Sequence, residues 1–216
     1  MASSNNNANP FLHGSLFPGF MVPIFSHIWA NSDDLNSQLF DKIMQRKEKD
    51  QGVTASNKGG WQSKPALQQW AGAPGKELHQ RFLMAINYAS AQFLASNNQP
   101  TGKLQWDINA WANVNSKGDS NELHIHPSST WSGVYYVEAG DPVKDVPDSG
   151  NISFINPLLS ERMSFFANEI PDRRSMTPVS GQMVLFPSYL QHMVRPYFGD
   201  KPRISIAMNA RKTPYP

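Results

Sequence analysis

The 216-residue chain contains no cysteine. That excludes disulfides, thiolate zinc sites and cysteine nucleophiles, and leaves His, Asp and Glu as the side chains able to hold a metal. No apolar run reaches the roughly eighteen residues that a membrane-spanning helix needs. The opening MASSNNNANP has neither the basic start nor the apolar stretch of a signal peptide. It reads as a disordered polar tail over residues 1–16. Charge is scarce too, with 17% Asp, Glu, Lys and Arg and a formal net charge of +2. The Lys and Arg residues are scattered along the chain, so neither nucleic acid nor a membrane is an expected partner. No internal repeat is visible, and a cytoplasmic location is the expectation.

Hydrophobic residues make up 39% of the chain, with 17 prolines and 6 tryptophans. This composition suits strands and turns with bulky filling better than a helical bundle. Phe17 to Ile28, with prolines at 18 and 23, reads as an edge strand. Leu35, Leu39, Phe40, Ile43 and Met44 recur at three and four, predicting a helix that opens at Asp33, with Ser32 or Asp33 as its N-cap. A second helix is predicted from about Gly75 to Ser96. Between them, SNKGGWQS over 56–63 is either a turn anchored by its tryptophan or a loop over the mouth of a site. From Leu104 the period changes to two. Strands are expected at 104–115 and near 122–127, 132–138, 151–156, 163–168, 182–187, 191–196 and 202–210. Seven or eight short strands separated by turn signals predict a β-sandwich or barrel, mainly β with flanking α-helices.

Within this strand-rich half stand His124 and His126, a later His192, and Arg203 eleven residues beyond it. Residues i and i+2 of a strand share a face, so His124 and His126 can reach one ion together. His192 completes a triad if the chain folds back. Arg203 and Ser205 share one face of an alternating strand, with Ile204 and Ile206 on the other. A permanently charged fork beside a hydroxyl suits a buried carboxylate. Such a layout fits a mononuclear non-haem iron site with an anionic co-substrate, against the competing reading of three unrelated histidines. Imidazole also suits Zn, Cu and Ni, so the ligands alone do not name the metal. His13, His27 and His79 each stand alone and are poor ligand candidates.

The runs NVNSKGDSNELHIHPSSTWSGVYYV, GQMVLFPSYLQHMV and RISIAMN resemble the core of the 2-oxoglutarate/Fe(II)-dependent dioxygenase superfamily. More narrowly, they resemble a subgroup of such oxygenases from marine bacteria and bacterial viruses. The resemblance extends over nearly the whole chain after residue 16. It implies a double-stranded β-helix, the jelly roll shared with cupins, forming one domain over 17–216 with two helices in its N-terminal half. It implies His124 as the first iron ligand, His192 as the distal one, and Arg203 with Ser205 on the remote carboxylate of 2-oxoglutarate. Tyr136 takes the place of a tyrosine that contacts the co-substrate in prolyl-hydroxylase-like members, while Tyr135 faces the core.

One position departs from the superfamily pattern. His126 stands where Asp or Glu is usual, and three neutral imidazoles leave the site one unit more positive. Glu122, Asp107 or a water are alternative sources for that ligand. The implied function is a dioxygenase using Fe(II), O2 and 2-oxoglutarate, with ascorbate as an optional reductant. It would hydroxylate a C–H bond of an unidentified small-molecule or peptidyl substrate, proline among the candidates. The alternatives are a non-catalytic cupin-like binding protein and a cupin-type lyase or isomerase using Zn, Mn or Ni. A homodimer through a sheet edge is one expected assembly. Substrate choice is expected to rest on loops 56–63, 139–150 and 157–162.

Overall fold

A computed structural model describes residues 21–141, 143–158 and 171–213. The expected tail at 1–16, His13, the expected strand near 163–168 and much of the 157–162 loop lie outside the described residues. Among those described, no helix is long and apolar enough to cross a membrane.

The period-two half folds into antiparallel strands, and the three-and-four pattern before it folds into helices. After β1 (Phe25–Ile28) come α1 (Asp33–Lys49), β2 (Asn57–Lys58), β3 (Trp61–Gln62), α2 (Leu67–Trp70) and α3 (Ala73–Ser96). The strands β4 (Gln105–Asn115), β5 (Ser120–His124), β6 (Trp131–Glu138) and β7 (Ile152–Ile155) follow. The last four are β8 (Arg173–Met176), β9 (Gln182–Pro187), β10 (His192–Val194) and β11 (Arg203–Thr213). Two sheets result, in the orders β1-β9-β6-β11-β4-β3 and β2-β5-β10-β7-β8. Within β4–β11 the chain passes from one sheet to the other and back, so sequence neighbours lie across the sandwich. This is the double-stranded β-helix.

Alternation along the strands divides the first sheet into two faces. Ala110, Ala112, Val114, Tyr135, Ile204, Ile206 and Met208 turn outward and join Leu39 and Ile43 of α1 and Leu78, Phe82 and Ile86 of α3 in one buried cluster. Val134, Tyr136, Val184 and Phe186 turn inward and meet Ile152, Phe154 and Leu190 in a second cluster between the sheets. The strands β6 and β9 therefore serve a helix-facing core and an inter-sheet interior at once. Tyr135 lies on the helix side, as expected, and its hydroxyl donates to Asn36 Oδ1 at 2.6 Å. Trp131 also faces that side, donating from Nε1 to Ser90 Oγ at 2.9 Å, and is a packing residue.

Several expectations need correcting. Residues 17–20 of the expected edge strand lie outside the described residues; within 21–28 the strand covers only Phe25–Ile28, and Pro23 before it has no N–H to give a ladder. Ser32, one of the two expected residues, is indeed the N-cap of α1, although its side chain makes no cap hydrogen bond. The short helix α2 and strand β8 had no clear periodic signal. At four residues each, they are shorter than the windows in which a period can be read.

The segment 56–63 bridges the two sheets. Asn57 and Lys58 pair with Asn121 and Ser120 of β5, while Trp61 and Gln62 pair with Val114 and Asn113 of β4. Gly59 and Gly60 carry the chain from one sheet to the other with φ of 67° and 63°, a left-handed conformation that glycine adopts without strain. Trp61 anchors it by donating from Nε1 to the Asp50 carbonyl at 2.7 Å.

Gly133 marks the tightest point between β6 and β9. A Cβ there would sit 2.5 Å from Leu185 Cδ2 and 3.0 Å from the Val184 carbonyl oxygen. Gly133→Val is therefore expected to destabilise the fold by about 1–3 kcal/mol through overpacking, read as a lowered urea midpoint at unchanged slope. An unaltered midpoint would mean that the two strands can separate freely at this point.

Candidate metal centre and co-substrate pocket

His124 closes β5, and His192 opens β10, where the two residues are directly paired across the ladder. His126 lies beyond the end of β5 rather than on the strand. Pro127 follows it and cannot donate to a ladder, so the strand gives way to a loop. The loop is tied down by the His126 N–H, which donates to the Ser188 carbonyl at 3.0 Å. Same-face alternation is thus not what brings His126 to its neighbours. The hydrogen bond to the β9–β10 turn does so.

The three imidazoles gather at one place. Ring centroids are 4.3 Å apart for His124 and His192, 4.9 Å for His124 and His126, and 5.1 Å for His126 and His192. One nitrogen from each lies within 4.8 Å of the others, forming a group able to hold a metal ion. His126 Nε2 and His192 Nε2 are 3.2 Å apart. Two nitrogens each about 2.1 Å from one ion and at right angles would stand roughly 3 Å apart, so this pair already has a chelating separation.

Hydrogen bonds set two of the rings. His124 Nδ1–H donates to the Glu122 carbonyl at 2.6 Å, and His192 Nδ1–H donates to the Leu190 carbonyl at 2.9 Å. A carbonyl can only accept, so each Nδ1 carries the proton and each Nε2 keeps its lone pair. Burial keeps the rings neutral. It lowers the pKa of His124, and lowers that of His192 to about 3 and that of His126 to about 4, with His124 adding like-charge repulsion to both. Neutral imidazoles are the ligating form.

Neither alternative carboxylate reaches the group. Glu122 is exposed and pairs with Lys58 Nζ at 3.1 Å, and Asp107 pairs with Arg211 on the surface at 3.0 Å. His27 is exposed on β1, and His79 lies half-buried on α3.

Arg203, Ser205 and Ala207 follow one another along the inner face of β11 and line a cavity shared with His124, His126 and His192. Tyr136, Asn113, Trp111, Gln62 and Ser56 contribute to its walls. Arg203 is only 1% exposed. Its Nη1 donates to Asn115 Oδ1 at 3.4 Å and Ser205 Oγ at 3.5 Å, both long, while Nε has no partner. No carboxylate pairs with it among the described residues. Tyr136 lies beneath it, with the guanidinium carbon 5.2 Å from the ring centroid, and the buried Tyr136 hydroxyl also lacks a partner. Burial raises the Tyr136 pKa against the pull of Arg203, so its hydroxyl stays a proton donor. A buried guanidinium without an anion is costly. The orphaned donors on Arg203 and Tyr136 meet the acceptor oxygens of a carboxylate in both charge and number.

Residues 109–209, which include all three histidines and Arg203, match the family model described as "Putative 2OG-Fe(II) oxygenase". The strand-rich segment 109–209 is thus similar to a 2OG-Fe(II) oxygenase domain. Solved structures share the oxygenase fold at low sequence identity. A Pseudomonas putida prolyl-4-hydroxylase superposes with a TM-score of 0.61 at 17% identity, covering 90% of this chain and 95% of that one. HygX from Streptomyces hygroscopicus, solved with nickel and 2-oxoglutarate, gives 0.54 at 15% identity over 89% of this chain and 83% of its own. A Trichoplax adhaerens prolyl hydroxylase in complex with a hypoxia inducible factor peptide fragment gives 0.54 at 12% identity, with coverages of 88% and 83%. No curated protein matches the chain by sequence.

The oxygenase is thus a 2-oxoglutarate- and Fe(II)-dependent enzyme, and its histidine group and Arg203 pocket fit both. Sequence reasoning passed over Asn209, on the same inner face as Arg203, whose side chain lies 3.3 Å from His126 Nδ1. The alternation of RISIAMN carried that signal, since Arg203, Ser205, Ala207 and Asn209 share one parity. It also left open whether the 56–63 segment reaches the site. Ser56 Oγ lies 3.5 Å from His124 Nε2, which brings that segment to the edge of the histidine group.

Proposed function

We propose that His124, His126 and His192 hold Fe(II), and that Arg203, Ser205 and Tyr136 bind the remote carboxylate of 2-oxoglutarate. The observation that supports this most directly is the shared cavity. It is lined by three neutral imidazoles and by a buried guanidinium that has no carboxylate partner among the described residues. Fe(II) held by the imidazoles supplies the redox chemistry that couples oxidative decarboxylation of 2-oxoglutarate to hydroxylation of a C–H bond.

The chain's own residues do the positioning. Arg203 offers a planar fork to the carboxylate, with the Ser205 and Tyr136 hydroxyls beside it. Ala207, carrying only a methyl group, leaves room between that fork and the histidines. Trp111 flanks His126, with ring centroids 5.9 Å apart, and forms the wall on that side. Ser56 and Gln62, from the segment that bridges the two sheets, line the cavity on the His124 side.

The substrate is proposed to be a peptidyl residue, proline first among the candidates. The support is the likeness in fold to two prolyl hydroxylases, one of them in complex with a peptide. The test is anaerobic loading with Fe(II), followed by air and 2-oxoglutarate with proline-containing peptides. Succinate formation stimulated by a peptide, with a matching mass gain of one oxygen on its proline, is the expected result. Succinate formation that no peptide stimulates would remove the peptidyl assignment while leaving the oxygenase chemistry in place.

A further inference from the structure

Resting on the reading of Arg203 as the carboxylate anchor, we propose that Gly150 is a positioning residue for that arginine. Its bare backbone, beside the fixed ring of Tyr197, sets where the Arg203 stem lies and so where the fork meets the co-substrate. Hydrogen bonds do not set it. The two that Arg203 Nη1 makes are 3.4 and 3.5 Å long, and Nε has no partner. Packing must hold the side chain instead. The Tyr136 ring lies 5.2 Å from the guanidinium carbon, and Gly150 lies against the stem.

Gly150 is buried in the turn that precedes β7, and its N–H donates to the Pro196 carbonyl at 3.2 Å. A Cβ at this position would stand 3.1 Å from Arg203 Cδ, 3.3 Å from Arg203 Nε and 3.0 Å from Tyr197 Cδ2. Unstrained carbon contacts are wider than this, so an added methyl has to move one of the two side chains. Tyr197 does not yield. It is 1% exposed, its hydroxyl donates to the Lys201 carbonyl at 2.7 Å, and the same oxygen accepts the Asp141 N–H at 2.9 Å. Its own N–H donates to the Asp119 carbonyl at 2.9 Å, and its carbonyl accepts the Gly118 N–H at 2.6 Å. Two further glycines close on the ring, since a Cβ at Gly140 or Gly199 would come within 2.7 or 2.6 Å of Tyr197 Cζ. The tyrosine is a wall fixed by four hydrogen bonds, whereas Arg203 is held by long contacts. The arginine stem therefore moves first, and Nε, the donor left for the carboxylate, moves with it. Gly150 acts on ligands that carry a remote carboxylate and spares those that reach only the metal.

The test is anaerobic calorimetry on the Mn(II)-loaded protein with 2-oxoglutarate and oxalate as probes. Oxalate offers two adjoining carboxylates to the metal and has nothing to reach Arg203. Gly150→Ala is expected to raise the 2-oxoglutarate dissociation constant about tenfold, part of the roughly thirtyfold expected for loss of the whole guanidinium. Oxalate and Mn(II) binding are expected to stay within about twofold of the parent, and in the Arg203→Ala background Gly150→Ala is expected to change 2-oxoglutarate affinity by less than about twofold. Gly150 has a φ of 67°, so alanine also strains the backbone there. Gly118→Ala isolates that strain, because its φ is 93° and the space around it is open. It is expected to bind 2-oxoglutarate as the parent does. If Gly150→Ala does not fold, Tyr197→Leu replaces it. That change removes the wall without adding a methyl, and it is expected to weaken 2-oxoglutarate but not oxalate.

Parent-like 2-oxoglutarate affinity in the variant used, with loss in Arg203→Ala, would overturn the positioning role and leave the anchor in place. Equal weakening of oxalate and 2-oxoglutarate would also overturn it, since the effect would then be on the whole site. So would an equal loss in Gly118→Ala, or a full Gly150→Ala effect in the Arg203→Ala background. Parent-like 2-oxoglutarate affinity in Arg203→Ala itself would instead remove the anchor reading on which the inference rests.

Discussion

Arg203→Ala raises the 2-oxoglutarate dissociation constant at least about thirtyfold while leaving Fe(II) or Mn(II) binding close to that of the parent. The guanidinium is 1% exposed, has no carboxylate partner among the described residues and leaves Nε unsatisfied. Removing one partner of a buried, hydrogen-bonded charge pair costs about 2–5 kcal/mol, and even the lower figure is about thirtyfold at 1.4 kcal/mol per decade. Arg203→Lys recovers part of the loss, because an ammonium keeps the charge but not the planar fork. Calorimetry on the anaerobic Mn(II)-loaded protein measures both constants. Unchanged 2-oxoglutarate affinity in Arg203→Ala would remove Arg203 as the carboxylate anchor. The unpaired guanidinium would then need another anion.

The second large effect is at the metal. His192→Ala, His124→Ala and His126→Ala are each expected to weaken Fe(II) binding at least about tenfold, with His192→Ala the most severe. His192 is 4% exposed, packs on Phe186 at 4.6 Å between centroids, and has Nδ1 committed to the Leu190 carbonyl. His126→Asp is expected to keep metal binding, since a carboxylate is a competent ligand at that place. His27→Ala and His79→Ala serve as controls and should bind as the parent does, because neither lies in the group. Anaerobic titration with Fe(II) decides the matter. Full affinity in any one of the three alanine variants would strike that residue from the triad.

Much of this was legible in the amino-acid order because period and residue chemistry are local. Alternation in Arg203–Met208 placed Arg203 and Ser205 on one face and Ile204 and Ile206 on the other, and the structure sends the first pair into the cavity and the second into the helix-facing core. The stripe from Leu78 to Ile86 marked a helix for the same reason. Glu122 misled because alternation within β5 takes no account of a partner across the ladder. Lys58, on the β2 strand paired beside it, draws its carboxylate to the surface.

By itself, the sequence determined that any metal here must be held without thiolates, that the C-terminal half is strand-rich, and that an arginine and a serine share a face downstream of the last histidine. Tertiary structure decided the rest. It paired His192 with His124 across a ladder, and it brought His126 in through the Ser188 carbonyl although the strand had ended. It also set Asn209 beside that ring and brought the 56–63 segment, shared by both sheets, to the edge of the group. These contacts join residues far apart in the chain, and no local period encodes them. They arise only when two sheets, each satisfying its own ladder, are forced face to face by burial of their apolar sides.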